Sequence, residues 1–364
     1  MLVGRVRLIN VRSHSDITLG FRPRLNIIHG RNGAGKTSVV EGVLLALQAR
    51  SPRTFRVTDV IRKGSTYLRA EVQLVADEEC EDAQAPPCAE VAFALSSDGT
   101  KRCYTNGSPL ANMDRWAQLA PLSVFLPDDV RLVKGSPGRR RTFMDALFAK
   151  RSVQYREAVS RYGGALAQRN ALLQGGTVDA QHKPWEAILA QEGHLLVKLR
   201  TEGLAAFART ASGVHRALAA RPAELRLVYR TNAADLSVEE YRAALAGRRA
   251  SDRRLSFTHL GPHRDDVRLV VDGVDLREAG SQGEQRLGLL TLLLAQREWA
   301  QGGGARPILL LDDVMSELDA ERRRALLAMV VTCGQSIITT TDLHHFTEGE
   351  LAGANVVEVG GCCG

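Results

Sequence analysis

Eight consecutive residues near the N-terminus, 30–37, have the types and spacing needed to bind a nucleotide phosphate. They match the pattern Gly-x-x-x-x-Gly-Lys-Ser/Thr without departure, between a predicted strand at 25–29 and a predicted helix at 38–48. The glycines let main-chain N–H groups converge on phosphate oxygens, where the following helix presents its positive end. The alternative is a chance glycine-rich turn, which this strand–loop–helix context disfavours. The predicted nucleotide ligands are Gly30, Arg31, Asn32, Gly33, Ala34, Gly35, Lys36 and Thr37.

Two adjacent carboxylates, Asp312 and Asp313, follow four aliphatic residues at 308–311. Such a run predicts a strand that is buried on both faces. Asp312 and the Thr37 hydroxyl are expected to hold Mg²⁺, and Asp313 to take a proton from the attacking water. An acidic strand end can also be a solvated cap, but the phosphate loop favours an ATP·Mg²⁺ site. Its predicted catalytic residues are Lys36, as a charge on the outer phosphates, and Asp313.

These two segments lie at opposite ends of the chain, so the N- and C-terminal regions must contribute to one sheet. Aliphatic and alternating runs predict strands in both regions, whereas apolar residues at three- and four-residue steps predict helices from about 140 to 247. The heptads there are neither strict nor sustained, which argues against a long coiled coil. The predicted class is α/β, with a discontinuous ATPase domain of residues 1–138 and 250–364 and an inserted helical arm of residues 139–249.

Ser281 and Gly283 belong to a motif, SQGEQR, at the start of a predicted helix at 283–299. The motif resembles the signature of ABC-type ATPases, where Ser and Gly at a helix start bind the γ-phosphate held by the opposite subunit. A Ser N-cap followed by Gly also begins an ordinary helix, but the position before the acidic strand favours the signature. Residues 316–319 stand at the D-loop of such proteins, and residues 338–342 resemble their switch region, with Thr341 where transporters usually carry His.

The resemblance to ABC-type ATPases implies that one chain carries two halves of a site that do not meet. Ser281 is not expected to reach a nucleotide bound at Lys36 of the same chain. Two chains related by a two-fold axis would instead share two ATP molecules. We therefore expect an ATP-dependent homodimer that hydrolysis releases.

Several further segments are informative: 125–129, 133–137 with 139–141 and Asp145, 168–170 with 172–173, and 261–266. They resemble the RecF family of recombinational DNA-repair proteins, and the likeness runs along most of the chain. The signature in its Ser-Gln-Gly form and the short arm agree, since SMC proteins and related nucleases carry very long coiled coils at this point.

The resemblance to RecF proteins implies an ABC/SMC-type ATPase head and a slow, DNA-stimulated ATPase that acts as a switch. It implies binding to double-stranded DNA, especially near single-strand gaps. It also implies cooperation with RecR and RecO to place RecA during repair, replication and the SOS response, in the cytoplasm.

Clusters of arginine are the candidates for duplex contact. The chain has 48 Lys and Arg against 41 Asp and Glu, a net charge of +7, which fits a polyanionic partner or an Arg-rich solvated surface equally well. The predicted DNA contacts are Arg139, Arg140 and Arg141, which precede the arm, and each cluster could instead be solvated or ion-paired. Aromatic residues, at 5%, are too few for a single-strand stacking platform. Further candidate clusters are Arg50, Arg53, Arg56, Arg62 and Lys63, and Arg248, Arg249, Arg253 and Arg254.

Other features exclude several classes. No run is apolar enough to span a membrane, and the arginines near the N-terminus do not suit a signal peptide. Six cysteines form neither metal-ligand spacings nor a dense disulfide framework, as in a reducing cytoplasm. Residues 77–89 are predicted to be a surface loop, and Cys362 and Cys363 part of a disordered tail. A transporter ATPase is disfavoured by Thr341 and the helical insertion, and a metabolic P-loop kinase would have no use for Ser281.

Overall fold

The computed structural model describes residues 1–76, 88–110, 120–175, 178–219, 221–301, 307–332 and 334–360. Most of the predicted acidic loop, Gly176 and the Cys362–Cys363 tail lie outside these residues. The chain forms two compact units, Met1–Asp128 with Ala300–Gly364, and Asp129–Trp299. In the described ranges, no helix has both the length and the apolar character needed to cross a membrane.

Strands predominate in the first 125 residues, helices between residues 131 and 218, and strands and helices are interspersed after that. The strands are β1 Leu2–Val11, β2 His14–Gly20, β3 Leu25–His29, β4 Tyr67–Val75, β5 Ala89–Ser96, β6 Lys101–Thr105, β7 Ser108–Pro109, β8 Leu122–Phe125, β9 Leu225–Arg230, β10 Asp266–Val271, β11 Val274–Asp275, β12 Ile308–Leu311, β13 Ser336–Thr340 and β14 Asn355–Glu358. The α-helices are α1 Lys36–Gln48, α2 Arg131–Lys134, α3 Pro137–Ala149, α4 Val153–Gln174, α5 Lys183–Leu218, α6 Val238–Gly247, α7 Arg249–Leu255, α8 Gln282–Gln301, α9 Ala320–Thr332 and α10 Glu348–Ala352.

The first unit packs α1 between an antiparallel and a parallel sheet. The antiparallel sheet has the order β2-β1-β4-β5-β6-β7, and the parallel sheet has the order β14-β3-β13-β12-β8. Residues 38–47 of α1 are all buried, because the helix contacts strands of both sheets. All four residues of β12 are buried, and the strand pairs with β13 on one side and β8 on the other. This confirms the prediction of a strand covered on both faces.

The second unit packs helices against a small antiparallel sheet with the order β11-β10-β9. Tyr155, Ala158 and Tyr162 recur on the buried face of α4, which packs against α5. The 36 residues of α5 form a single helix. Its Phe207 contacts the rings of Phe143 and of Trp299 edge-on, at centroid distances of 6.1 and 5.8 Å. The arm is therefore compact, in agreement with the predicted absence of a long coiled coil.

The compact units change at residues 128/129 and 299/300, whereas the sequence placed the domain boundaries at 138/139 and 249/250. The physical reason is that β9, inside the predicted arm, forms an antiparallel ladder with β10, which the sequence assigned to the ATPase domain. The hydrogen-bonded sheet ties these segments into one unit. The functional domain boundaries stay a prediction.

Candidate nucleotide site and DNA interface

The candidate nucleotide site lies at the carboxyl ends of three neighbouring parallel strands. Strand β13 pairs with β3 on one side and with β12 on the other, all in parallel. The phosphate loop follows β3, and Asp312 follows β12, so the sheet brings together residues from both ends of the chain. Carboxyl ends of parallel strands are where open α/β sheets bind ligands.

The phosphate loop has the backbone that its glycines were predicted to supply. Gly33 and Gly35 have φ values of 83° and 94°, a left-handed conformation that favours glycine. Gly35 is also confined sterically, because a Cβ atom there would lie 2.3 Å from the Nε2 atom of His14. Lys36 begins α1, and its Nζ donates to the main-chain carbonyls of Gly30 at 2.8 Å and Arg31 at 3.0 Å. The ammonium group is therefore held over the loop.

Asp312 is the centre of a threonine–carboxylate cluster. The Thr37 hydroxyl donates toward both carboxylate oxygens, at 3.0 and 2.9 Å, and the Thr339 hydroxyl donates to Oδ1 at 2.7 Å. Burial is the largest influence on the pKa of Asp312 and raises it, with a smaller contribution from the charge of Asp313. The two threonine hydrogen bonds lower the same pKa without cancelling the effect. Thr339 is a site residue that the sequence motif did not single out.

Asp313 has a constrained backbone and an unsatisfied side-chain oxygen. Its φ of 49° lies in the left-handed region, which is uncommon for a residue other than glycine. Its N–H donates to the Thr339 hydroxyl at 2.9 Å, which fixes the main chain. Within the described residues, its buried Oδ1 has no hydrogen-bond partner. A carboxylate oxygen in this state can accept a proton or a hydrogen bond from a bound molecule.

An open cleft of about 400 Å³ connects these groups. Arg12, Arg53 and Thr341 line it together with the phosphate loop and the two aspartates. Arg12 forms a bidentate ion pair with the fully buried Glu41 of α1, at 2.8 and 2.9 Å. Arg12 is not among the predicted site residues because it lies outside the motifs. Arg53 is predicted only as a DNA contact.

The residues of the cleft fit a nucleoside triphosphate with Mg²⁺. Lys36, Thr37 and Asp312, which would contact the phosphates or the ion, each make hydrogen bonds that such a ligand could replace. In the described part of the chain, no group of three or more His, Cys, Asp or Glu side chains could hold a metal. Thr37 and Asp312 would therefore be the two protein ligands of Mg²⁺, and phosphate oxygens and water would complete its coordination. This is the usual binding mode of the ion.

Ser281 lies in the second unit, at the exposed start of α8. Its hydroxyl donates to the Glu284 carboxylate at 2.8 Å, and the Glu284 N–H donates back to the hydroxyl at 3.3 Å. This is a capping box, so the helix-initiation interpretation describes its local role. Gly283 is the second residue of the same helix. A γ-phosphate ligand at Ser281 would take the place of the Glu284 carboxylate.

The three predicted DNA contacts have different environments. Arg139 is exposed. Arg140 is buried, forms a bidentate ion pair with Asp266 at 2.6 and 3.0 Å, and donates to three main-chain carbonyls. Arg141 is partly buried and donates to the Asp265 carbonyl at 2.8 Å, and burial lowers its pKa. We withdraw Arg140 as a phosphate contact, because its guanidinium already holds the second unit together.

The other two arginine clusters differ from each other in solvent exposure and in ion pairing. Arg50, Arg53, Arg56, Arg62 and Lys63 are all exposed. In the other cluster, Arg249 and Arg253 each form an ion pair with Asp179, and Arg249 also pairs with the buried Glu186. Those two arginines are therefore ion-paired within the second unit.

Several residues of the segments that carry the family resemblance belong to buried networks within the second unit. Arg200 donates to the buried Asp265 at 2.8 Å, and the Tyr229 hydroxyl donates to the same carboxylate. Arg169 pairs with the buried Asp252 at 2.8 Å. His263 contacts the Tyr162 hydroxyl at 2.7 Å and the Thr258 carbonyl at 2.8 Å, and burial lowers its pKa. His263 therefore has a structural role inside the second unit.

Comparison with known proteins gives one consistent family. The family model described as the RecF/RecN/SMC N terminal domain matches residues 2–359. The DNA replication and repair protein RecF of Heliobacterium modesticaldum is 34% identical, with 99% of this chain and 97% of that protein covered. The protein of the same name from Symbiobacterium thermophilum is 35% identical, with 94% and 92% covered.

Solved structures agree with the sequence relatives. A structure described as the recombination mediator protein RecF with ATP in the RecFOR pathway matches with a TM-score of 0.78 and 26% identity, over 95% of this chain and 93% of that chain. An Smc head bound to the C-winged helix domain of ScpA matches with a TM-score of 0.59 over 98% and 93%, and at 16% identity it shows the fold alone. The predicted ABC/SMC-type head with a helical insertion is confirmed.

Proposed function

The chain belongs to the RecF family, and we propose that it is an ATP-controlled, DNA-binding protein of DNA replication and recombinational repair. The observation that carries the proposal is the cluster of Lys36, Thr37, Asp312 and Asp313 at adjacent strand ends, built from both ends of the chain. In this proposal the protein is a slow, DNA-stimulated ATPase that works in the cytoplasm as a switch, not as a metabolic enzyme.

Each residue of the cluster has a defined part in the proposed ATP site. Lys36 gives up its two carbonyl partners and donates to the outer phosphates, while loop N–H groups hold the remaining phosphate oxygens. Thr37 and Asp312 hold Mg²⁺, which neutralises phosphate charge when bound. Asp313, with its unpartnered buried oxygen, orients the attacking water and accepts its proton.

The proposed switch is dimerisation. Ser281 and Gly283 of one chain would bind the phosphate held at Lys36 of a second chain, as the resemblance to ABC-type signatures implies. ATP would then be enclosed by both chains, and hydrolysis would remove the shared γ-phosphate and release them. Two such chains related by a two-fold axis bury two nucleotides.

Dimerisation is tested by measuring the mass of the protein in solution by light scattering, with and without ATP. The Asp313→Asn variant, which should retain ATP, is expected to double in mass when ATP and Mg²⁺ are added. Adding Ser281→Arg should abolish the doubling. The matched control is Ser237→Arg, because Ser237 makes an equivalent capping box with Glu240 at the start of α6. A dimer that survives Ser281→Arg, or is lost equally in the control, contradicts the shared site.

Duplex binding is proposed to follow dimerisation, with Arg139 and the exposed cluster after α1 as phosphate contacts. We also propose that the protein prefers gapped DNA and acts with RecR and RecO in placing RecA. Titration of labelled duplex and gapped DNA at two salt concentrations is expected to show binding that ATP strengthens and salt weakens. Equal binding under every condition contradicts the DNA-switch proposal without affecting the dimer test.

A further inference from the structure

The outer edge of β9 carries main-chain groups that the sheet does not pair. β9 is the end strand of the order β11-β10-β9. The Leu276 N–H donates to the Leu269 carbonyl at 2.9 Å, so Leu269 directs its main-chain groups toward the β11 side. Leu269 faces Leu227 in the ladder, and Leu227 must therefore direct its own N–H and carbonyl away from β10. By the two-residue alternation of a strand, Tyr229 does the same.

A second hydrogen bond supports this orientation. The Ser212 hydroxyl of α5 donates to the Leu225 carbonyl at 3.0 Å, which places the odd-numbered carbonyls of β9 on the side away from β10. For Leu227 and Tyr229, no described residue supplies a main-chain partner on this edge. Two donors and two acceptors are thus available to an added strand, a position that proteins usually protect.

A groove of about 670 Å³ runs along this edge, between β9 and α5. Three exposed arginines line it, Arg209 and Arg216 of α5 and Arg226 of β9. Arg226 is paired with Glu224, whereas Arg209 and Arg216 form no ion pair with any described residue. Residues 203–218 and 225–230 contain no Asp or Glu, so both walls of the groove are positively charged or neutral.

We propose that this groove docks an extended, acidic segment of a partner protein, which adds to β9 as a strand. The alternating donors and acceptors of Leu227 and Tyr229 match a peptide backbone, and Arg209 and Arg216 match acidic side chains. A nucleic acid backbone suits the arginines but has no donors for the two outward carbonyls. A second copy of β9 would bring Arg226 and Arg230 against like charges, which is unfavourable for strand pairing.

The full-length protein is titrated with a fluorescein-labelled peptide of alternating glutamate and valine, and binding is followed by anisotropy. One comparison peptide carries lysine for glutamate, and another keeps glutamate but has N-methylated amides that cannot pair with a strand. The acidic peptide is expected to bind at least about tenfold more tightly than either. On binding, the amide hydrogens of Leu227 and Tyr229 should exchange more slowly.

The variant Arg209→Glu with Arg216→Glu is expected to weaken peptide binding by at least about tenfold. The matched control is Arg156→Glu with Arg242→Glu, which reverses two exposed arginines of the same unit that form no ion pair within the described part of the chain. It should change binding less than twofold. Undetectable binding of the acidic peptide, equal binding of the methylated peptide, or equal losses in the two variants would overturn the proposal. So would a groove variant that loses affinity for duplex DNA but not for peptide, which would assign the groove to nucleic acid.

Discussion

Replacing Arg140 by Ala is expected to destabilise the second unit strongly, while replacing its neighbour Arg139 is not. The Arg140 guanidinium is buried, and its three nitrogens donate to the Asp266 carboxylate and to three main-chain carbonyls. Asp266 is itself largely buried, with 14% of its side chain exposed. Removing the arginine would leave the carbonyls without this donor, and Asp266 would keep only the Val267 N–H at 2.8 Å and the more distant Arg277 at 3.8 Å.

Removing one partner of a buried ion pair costs about 3–5 kcal/mol of folding free energy, and this is the loss expected for Arg140→Ala. For a folding unit of this size, that loss corresponds to a fall in melting temperature of roughly 6–20 °C. Arg139→Ala changes an exposed side chain that forms no ion pair with a described residue, so its expected effect is within about 0.5 kcal/mol. Because Arg139 and Arg140 are adjacent in the sequence and chemically identical, the difference in stability between the two variants measures the effect of burial.

The assay combines thermal unfolding followed by circular dichroism with duplex titration at a temperature where both variants are folded. Arg140→Ala should melt early yet retain most of its DNA affinity, and Arg139→Ala should melt normally and bind DNA more weakly. If Arg140→Ala melts within 2 °C of the unchanged protein and loses DNA affinity as Arg139→Ala does, the assignment of Arg140 to the interior is refuted.

Three further outcomes concern the nucleotide site. Asp313→Asn is expected to lower ATP turnover by roughly 10²–10⁴-fold with ATP affinity retained, and single-turnover assays that show normal hydrolysis would remove Asp313 as the base. Lowering the pH should weaken Mg²⁺·ATP binding, measured with fluorescent ATP, because burial raises the pKa of Asp312 and the protonated acid holds Mg²⁺ poorly. The pH dependence of folding stability, measured without added nucleotide, is opposite to that of ATP affinity. The stabilising contribution of Asp312 is present at low pH and is lost as the pH rises through its raised pKa. Thr339→Val should shift the loss of affinity to higher pH, since the Thr339 hydrogen bond lowers that pKa, whereas Thr340→Val, whose hydroxyl bonds to the Asp342 carbonyl, should not.

Much of the fold could be predicted because local patterns and long-range pairing agreed. The strands predicted at 25–29 and 308–311 coincide with β3 and β12, and both lie in the parallel sheet. β9 was missed although its residues alternate, because it is a short strand among long amphipathic helices. β8 and β14 were missed because each has only four residues and is stabilised mainly by its neighbours in the parallel sheet.

In the candidate site, too, the residues that could be predicted are those defined by local sequence, whereas the others depend on tertiary contacts. The phosphate loop is defined by consecutive residues, so its geometry could be predicted in detail. Arg140 looked like its exposed neighbours because burial depends on Asp266, which is far away in the sequence. Thr339 carries no local signal either, since its role exists only after β13 has placed it beside Asp312.

The two halves of the proposed site share one physical property, which bears on how ATP could control the protein. In the structure, Lys36 bonds to main-chain carbonyls, Thr37 bonds to Asp312, and Ser281 bonds to Glu284. Binding therefore exchanges existing bonds for new ones, and the net gain is smaller than the number of contacts suggests. For Ser281 the exchange also displaces a carboxylate that caps α8. A γ-phosphate can offset that loss by accepting from the freed N–H groups at the helix start, whereas ADP offers no such group. In the proposed dimer, the cap would make association depend on the γ-phosphate. A Glu284→Gln variant should then dimerise at lower ATP concentration than the unchanged protein, since an amide leaves the serine more readily than a carboxylate does.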